Sequence, residues 1–581
     1  MLQPRPSAPT RLRDVLAEAL LYSFLAAAVL WPLPTAMATA VPMGTEKVAT
    51  VPFAMAWSFW WQADRLAAGL QGYWQAPIFF PTDGTFALSE TNTLGSLLMA
   101  PVVLATGSAA LGHNLFLLLA LTLNGLTTSR FLQALGLGRL VAVVTGVGVL
   151  MLPLPHQEIG VLPLVPVFGI VASLHALWSW TRDPGWRLGV RVGLCLAATY
   201  LLCFQYALFL AIVVAALGWL FLEKRFLAPR PLGSLVLAGA LAAGCVAPVV
   251  LAQTRTVKEE AGFVRKESKV RKLAAKPRHF ARTPWKQAVA PPGIPVAKKP
   301  GWKAFFPGSG RVLLALLGLV WGLGLPRRVR WAWFFGGGSL LAYAMALGPW
   351  LEVGGNNLWA LVVEVLPGYG KVRSVNRWAV IFQLFVVLLA GFGLQSLQDR
   401  LTGRAPSGGD AGLHPARGRR RLITGVAFAV LALLCMVEIV PPQQVLRDVP
   451  SKQTHAAWGE WVRQNTPHDA VLAFLPFSDG GNVADYEQDA AWMLLTPVHG
   501  RTMVNGYSSY FPKPFRALKK KLKEFPTIDG VDGLRELGVT HVVMEQEALP
   551  EHLIADYPVV EEALTILFRD DVAGVDVYAL D

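Results

Sequence analysis

Apolar runs of about 15 to 24 residues, the longer ones sufficient to span a bilayer core of about 30 Å as helices, recur from residue 15 to residue 441. Backbone polar groups find no water partner in such a core, so the runs must be helical. Only 15% of the 581 residues are charged, while 54% are hydrophobic. Soluble domains carry about 25% charged residues. The pattern therefore implies a polytopic bundle of transmembrane helices.

The segments fall at 15–38, 94–108, 115–133, 140–155, 160–181, 188–203, 205–222, 232–252, 311–325, 331–349, 378–396 and 423–441. The net charge of +14 comes from Lys and Arg in the intervening loops, which retain those loops on the cytoplasmic side. Nucleic acid is therefore not an expected partner. Basic residues mark five junctions: Arg130 with Arg139, Arg182 with Arg187, Lys224 with Arg225 and Arg230, Arg327 with Arg328 and Arg330, and the Arg-rich stretch 397–422. All five share the side of a cytoplasmic N-terminus, residues 1–14, only if 94–108 does not cross. The expectation is eleven crossings, with 94–108 re-entrant or lying along the outer surface. Cys195, Cys203, Cys245 and Cys435 lie inside apolar segments and read as small packing residues.

This topology defines a membrane domain, 15–442, with an outer loop at 39–93 and a basic outer loop at 253–310. The second loop carries 14 Lys and Arg against three Glu; it reads either as a contact for lipid head groups or as a Pro-rich connector. Residues 448–581 have a different texture. Short β-like runs at 470–474, 539–544, 566–568 and 575–579 alternate with helical patterns at 453–464, 512–524 and 530–537, as in a small α/β domain. The parity places it outside the cell, with its own core.

Carboxylates close to a membrane are costly unless solvated or used. Glu46 follows the first span, Glu90 sits in LSETN, and Glu158 follows His156 and Gln157 in LPLPHQEIG. The topology brings all of them to one outer surface, where they read as solvated loop residues or as one polar site. Trp57 and Trp61 share a helical face and read as interfacial anchors or as a wall beside a lipid or sugar. In GYGKVRSVNRWAV, Lys371, Arg373 and Arg377 flank Asn376; they suit a bound phosphate or membrane head groups.

The Trp-rich helix, the stretch YWQAPIFFPTDGTFALSE, the Pro-His-Gln motif, VRSVNRWAV, FLPF and VNGYSSYFP together resemble bacterial integral-membrane proteins related to the GT-C superfamily of glycosyltransferases. The resemblance covers about 40–580. It implies a multi-pass protein of the bacterial inner membrane that moves a sugar from a polyprenyl-phosphate donor to an envelope lipid or glycan acceptor, with inversion. In that family an acid of the first outer loop serves as general base or metal ligand, and the matching residue here is Glu46. Glu90, or Glu158 with His156, would orient the acceptor, and Arg373 and Arg377 would hold the phosphate. A divalent cation, Mg or Mn, is the cofactor the family suggests. The chain departs from the pattern, because Thr45 precedes Glu46 and Lys47-Val48 follow, so no acidic pair is present.

That departure favours one rival, a non-catalytic scaffold or lipid-handling protein of the same fold. A transporter is a second rival, but the chain shows no internal repeat and few charges within its spans. A hydrolase using Ser478, Asp479, His499, Ser508 or Ser509 lacks a Gly-x-Ser-x-Gly elbow.

Overall fold

The computed structural model describes residues 12–261, 267–285, 296, 303–323, 329–366, 369–401, 418–546 and 563–580. Arg327, Arg328, Arg404, Arg417 and part of the basic loop lie outside the described residues. The first half contains α1 (Leu12–Val29), β1 (Ala40–Pro42), α2 (Thr50–Ala67), α3 (Thr93–Thr106), α4 (Ala109–Ala134), α5 (Arg139–Leu150), α6 (Pro153–Gln157), α7 (Phe168–Arg182), α8 (Trp186–Leu202), α9 (Phe204–Leu217) and α10 (Pro229–Ala261). There follow α11 (Glu267–Leu273), α12 (Ser309–Leu323), α13 (Val329–Leu347), β2 (Glu352–Val353), β3 (Asn356–Asn357), α14 (Leu358–Val365), α15 (Ala379–Leu401), α16 (Gly418–Met436) and β4 (Leu446–Asp448).

Contacts between helix ends sort the bundle into two ends. At one end Glu18, 3% exposed, meets Arg130 at 2.9 Å and Arg139 at 3.0 Å, and Arg139 also meets Asp14 at 2.8 Å. Nearby, Trp178 donates to the Ala134 carbonyl, Arg225 donates to the Thr181 carbonyl, and Gly138 N donates to Gln395. Arg330 pairs with Glu223 at 3.3 Å, and Arg400 lies 3.9 Å over Trp321. The basic junctions that are described therefore share an end with the start of α1. At the opposite end β1 pairs antiparallel with β4, Ala40 facing Asp448, and the Gln444 side chain donates to the Val29 carbonyl. Glu438 accepts from the Ser309 and Gly310 amides at 2.7 Å each, which caps α12.

Between these ends run α1, α4, α5 with α6, α7, α8, α9, α10, α12, α13, α15 and α16, one helical pass for each apolar segment expected to cross. Among the described residues six stretches are individually long and apolar enough to span: Ala109–Ala134, Arg139–Gln157, Leu162–Arg182, Phe204–Phe221, Pro229–Val257 and Val375–Leu401. The others are shorter or carry charge near their ends. The twelfth segment, α3, has 14 residues, about 21 Å of helix at 1.5 Å per residue. Both of its ends lie at the β1 end of the bundle. It starts just after Glu90, which caps α9, and the carbonyl of Gly107 beyond its last turn accepts from Lys452.

Small residues let the passes approach closely. A Cβ on Gly318 of α12 would overlap the Leu389 carbonyl of α15, and one on Gly393 would overlap the Leu314 carbonyl. On α10, by contrast, Gly239 faces open space.

Beyond β4 the chain forms α17 (Ala456–Asn465), β5 (Val471–Leu475), α18 (Glu487–Leu494), α19 (Thr496–His499), β6 (Thr502–Met503), α20 (Lys513–Lys521), α21 (Ile528–Glu536), β7 (His541–Glu545), β8 (Leu564–Asp570) and β9 (Val575–Leu580). The sheet order is β6-β5-β7-β9-β8. β5 is parallel to β6 and β7, and β9 is antiparallel to β7 and β8. All four expected strands are present. β6, α18 and α19 are additions, too short to show a period in sequence.

The expectation of a self-contained core in 448–581 needs correction. Phe53, Trp57, Trp61, Phe79 and Phe86 of the first outer loop belong to the same buried cluster as Trp458, Phe474, Trp492 and Phe515. Two hydrogen bonds bind the start of α2 to this region, from Ala49 N to Glu487 at 3.1 Å and from Thr50 Oγ1 to the Val483 carbonyl at 2.7 Å. Alternation along a strand shows which face is buried, but not which distant segment covers it.

The glycine contacts generate a stability prediction. Gly318→Ala or Gly393→Ala forces α12 and α15 apart and should cost about 1–3 kcal/mol. Gly239→Ala meets nothing and should be neutral. Thermal unfolding of the purified protein in detergent measures this, and equal midpoints for all three variants would refute the close-packed contact.

Candidate functional site

The loop after β1 is shaped by one glycine. Gly44 has φ +61, and a Cβ there would lie 2.7 Å from the Gln157 carbonyl, so a side chain would be strained and obstructed. That carbonyl also accepts from Thr45 N and Thr45 Oγ1, both at 2.9 Å. Gly160 adds a second close approach, since a Cβ on it would stand 2.9 Å from the Met43 carbonyl oxygen. The Pro-His-Gln turn and Glu46 are thus brought together by backbone contacts.

Arg377 lies at the centre of the cluster. It sits on the short turn Val375–Trp378 that opens α15. The turn is fixed from below: Trp378 stacks on Phe209 at 4.2 Å and donates to Tyr369 Oη at 2.7 Å. The Arg377 guanidinium pairs with Glu158 at 3.6 Å and donates to Gln205 Oε1 at 3.3 Å. Its charge also acts on Glu46 and Glu90, favouring the ionised form of each.

The three carboxylates are held differently. Glu158 makes the direct ion pair. Glu90 Oε1 accepts from Phe204 N at 2.9 Å, satisfying a free amide at the start of α9. Burial raises its pKa, and Arg377 and that amide oppose the shift. The Glu46 side chain makes no hydrogen bond or ion pair among the described residues. Its pKa is raised above the ordinary glutamate value by burial first and by the Glu158 charge second, with Arg377 pulling the other way.

The other expected site residues divide into two groups. Arg373 is exposed and acts on Tyr507, which also feels Glu46. Burial pushes the Tyr507 phenol up to about 12. Asn376 is buried on the Arg377 turn. The side chain of Lys371, on the turn Tyr369–Lys371, lies outside the described residues. His156 is corrected: it is buried in α6 and its Nε2 bonds the Leu150 carbonyl at 2.9 Å, so it positions the turn from beneath. Trp57 and Trp61 are corrected as well. Their rings stack 6.4 Å apart in the shared core, 3% and 5% exposed, so they pack against the sheet region rather than at a membrane interface. Trp57 borders a small cleft with Glu90, Thr91, Tyr507 and Ser508. The cleft holds about 20 Å³, room for a water-sized group.

Two residues escaped the sequence reading. Gln205 follows Cys203 and Phe204 at a helix break, visible only as a polar residue between apolar runs. Tyr507 lies in the quoted VNGYSSYFP stretch, but nothing in its spacing ties it to Arg373. Among the described residues no three His, Cys, Asp or Glu side chains gather as metal ligands.

The fold has relatives of known structure. Over 98% of its length the chain superposes on arabinofuranosyltransferase AftD from mycobacteria, with a TM-score of 0.56 and 13% identity. The aligned part is 40% of AftD, so this chain spans about two fifths of that protein's length. Archaeal oligosaccharyltransferase AglB from Archaeoglobus fulgidus, in complex with an inhibitory peptide and a dolichol-phosphate, aligns over 99% of this chain and 75% of its own, at 14% identity and a looser TM-score of 0.47. ArnT from Cupriavidus metallidurans bound to undecaprenyl phosphate aligns over 98% of both chains, at 12% identity and 0.44. No protein-family model matches the sequence, and no curated protein matches it. At such identities the likeness is one of fold: the chain is a mostly helical, polytopic membrane protein with a GT-C-like fold and a small C-terminal sheet region.

Proposed function

We propose that this protein is a glycosyltransferase that takes a sugar from a polyprenyl-phosphate donor and passes it to a lipid or glycan acceptor on the outer face of the bacterial inner membrane. The observation that carries the reading is an unpartnered, desolvated carboxylate, Glu46, beside the paired Glu158 and Arg377 at the end of a GT-C-like bundle. The likeness to AftD supports the reaction class.

In this reading the Glu46 carboxylate takes the proton of the acceptor hydroxyl. The acceptor oxygen attacks the anomeric carbon while the bond from that carbon to the phosphate oxygen breaks. The electron pair leaves with the polyprenyl phosphate, whose charge Arg377 and Arg373 stabilise. Glu158 holds Arg377 in place, Glu90 anchors the start of α9, and His156 and Asn376 support the turns beneath.

Glu46→Gln keeps the shape of the side chain but cannot accept a proton. It should lower transfer by about 10²–10⁴ while leaving thermal unfolding unchanged. The assay follows labelled sugar from a polyprenyl-phosphate donor into lipid or glycan. Unchanged transfer would remove Glu46 from the role of base, and wild-type protein inactive with every such donor would favour the non-catalytic scaffold.

The pH profile gives a second test. A base must be deprotonated, so a raised Glu46 pKa places the acid limb of kcat/KM above the ordinary glutamate value of 4.5. Glu158→Gln removes a charge that raises this pKa and should move the limb to lower pH. Arg377→Gln removes a charge that lowers it and should move the limb of the residual activity to higher pH. Shifts in the same direction would contradict the arrangement.

Glu90 has its own test. Glu90→Ala should cost about 0.5–2 kcal/mol of stability by uncapping α9. Glu90→Gln keeps an acceptor oxygen and should restore most of it with transfer intact. Loss of transfer in a stable Glu90→Gln variant would make Glu90 the base instead.

A further inference from the structure

The region after β4 contains one concentration of positive charge that the site does not use. Of the twelve Lys and Arg beyond residue 446, six fall between 513 and 523, in a region where 21 acids outnumber them. Most of that stretch is α20, and a short turn, Leu522–Glu524, completes it.

Two of the six cations are tied down. Lys519 Nζ donates to Tyr486 Oη at 2.8 Å and lies 4.1 Å over that ring. Lys521 pairs with Glu536. The other four, Lys513, Arg516, Lys520 and Lys523, are exposed and have no ion pair among the described residues. Phe515, Leu518 and Leu522 form the buried face. At about 100° per residue the four free cations share an arc of about 80° on the far side of the helix. Like charges one turn apart repel, so folding alone does not account for the grouping.

This face begins beside the candidate site. The Tyr507 ring, which feels the Arg373 and Glu46 charges, lies 6.1 Å from that of Phe511. Phe511 stacks on Tyr486 at 4.7 Å and on Phe515 at 5.4 Å. Lys513 follows two residues later. A packed row of rings thus connects the carboxylate cluster to the buried face of α20, whose opposite face is the cationic strip, about 15 Å long at 1.5 Å per residue.

We propose that this strip binds an anionic glycan, a polymer with repeated phosphate or carboxylate groups, and that this polymer is the acceptor of the transfer argued above. The acceptor role rests on that reading; the binding does not. Three of the four cations are Lys, which attract as point charges and do not form the planar fork by which Arg recognises a single anion. A row of point charges suits recurring negative groups along a chain.

The test uses full-length protein in nanodiscs of zwitterionic phosphatidylcholine, with fluorescent polygalacturonate as probe and neutral dextran of matched length as control. Polygalacturonate should bind, dextran should not, and binding should weaken steeply between about 0.05 and 0.5 M salt as screening shortens the reach of the charges. The quadruple variant K513Q/R516Q/K520Q/K523Q should weaken binding at least about tenfold, and the double variant K513Q/K520Q by an intermediate amount. K269Q/R278Q, in the basic loop, should leave binding within about twofold, which separates the strip from general positive charge. E46Q should bind like wild type.

Binding by the quadruple variant equal to wild type, or equal losses in the basic-loop variant, would overturn the proposal. So would attachment only to nanodiscs containing phosphatidylglycerol, which would assign the strip to lipid head groups. Loss of probe binding with transfer intact would overturn this proposal alone. Probe binding without transfer by wild type would overturn the proposed function and the acceptor role, leaving the surface.

Discussion

A charge left in the apolar middle of a membrane-crossing bundle finds neither water nor a partner, and that cost organises this molecule. The described charges around the passes gather at two ends. The deepest acid near the first end, Glu18, is held by Arg130, Arg139 and Ser129. Because Arg130 and Arg139 reach it from a more exposed position, these pairs tie α1 to α4 and α5 at that end. At the other end Arg377 answers three carboxylates, and the loops that carry them are drawn onto one turn.

The outer part depends on a different interaction, the aromatic core that the first outer loop shares with the sheet. Trp57, Trp61 and Phe86 lie between α2 and the strands, so the loop bearing Glu46 and Glu90 is clamped between the membrane passes and the C-terminal region. Arg373, Glu46 and Tyr507 come from segments far apart in sequence, yet the charges of the first two both act on the third. A carboxylate on a long free loop would average over many positions. Here the positions of Gly44, Thr45 and Gly160 are fixed by backbone contacts.

The long apolar helices, the basic junctions between them and the four main strands could be read from the sequence because each is a local pattern: a long apolar run, a cluster of Lys and Arg, a short β-branched stretch. The polar residues of the site could be named for the same reason, since Glu46, Glu158 and Arg377 stand at the ends of apolar runs. Their partners could not. The cap that Glu90 gives to α9 joins residues 114 positions apart. The burial of His156 follows from the depth of a five-residue helix that has no period of its own. Trp57 and Trp61 read as interfacial anchors or as a wall beside a lipid or sugar because an amphipathic helix looks the same whether its apolar face meets lipid, a ligand or a sheet.

Those long-range partners also decide which carboxylate is free to act. Glu158 is committed to Arg377, and its loss would release the guanidinium. Glu90 is committed to the Phe204 amide, and proton transfer there would weaken a helix end during each turnover. Glu46 alone of the three has no side-chain partner among the described residues, although it sits where ionisation is opposed by burial and by Glu158. A half-buried acid without a partner, its pKa raised by its surroundings beside a paired Glu158 and Arg377, is the kind of group that functional sites hold. Arg377 moderates the shift by favouring the ionised form, which keeps the group able to receive a proton. The arrangement is that of a base held near the charge that would stabilise a leaving phosphate, with the structural work done by its neighbours.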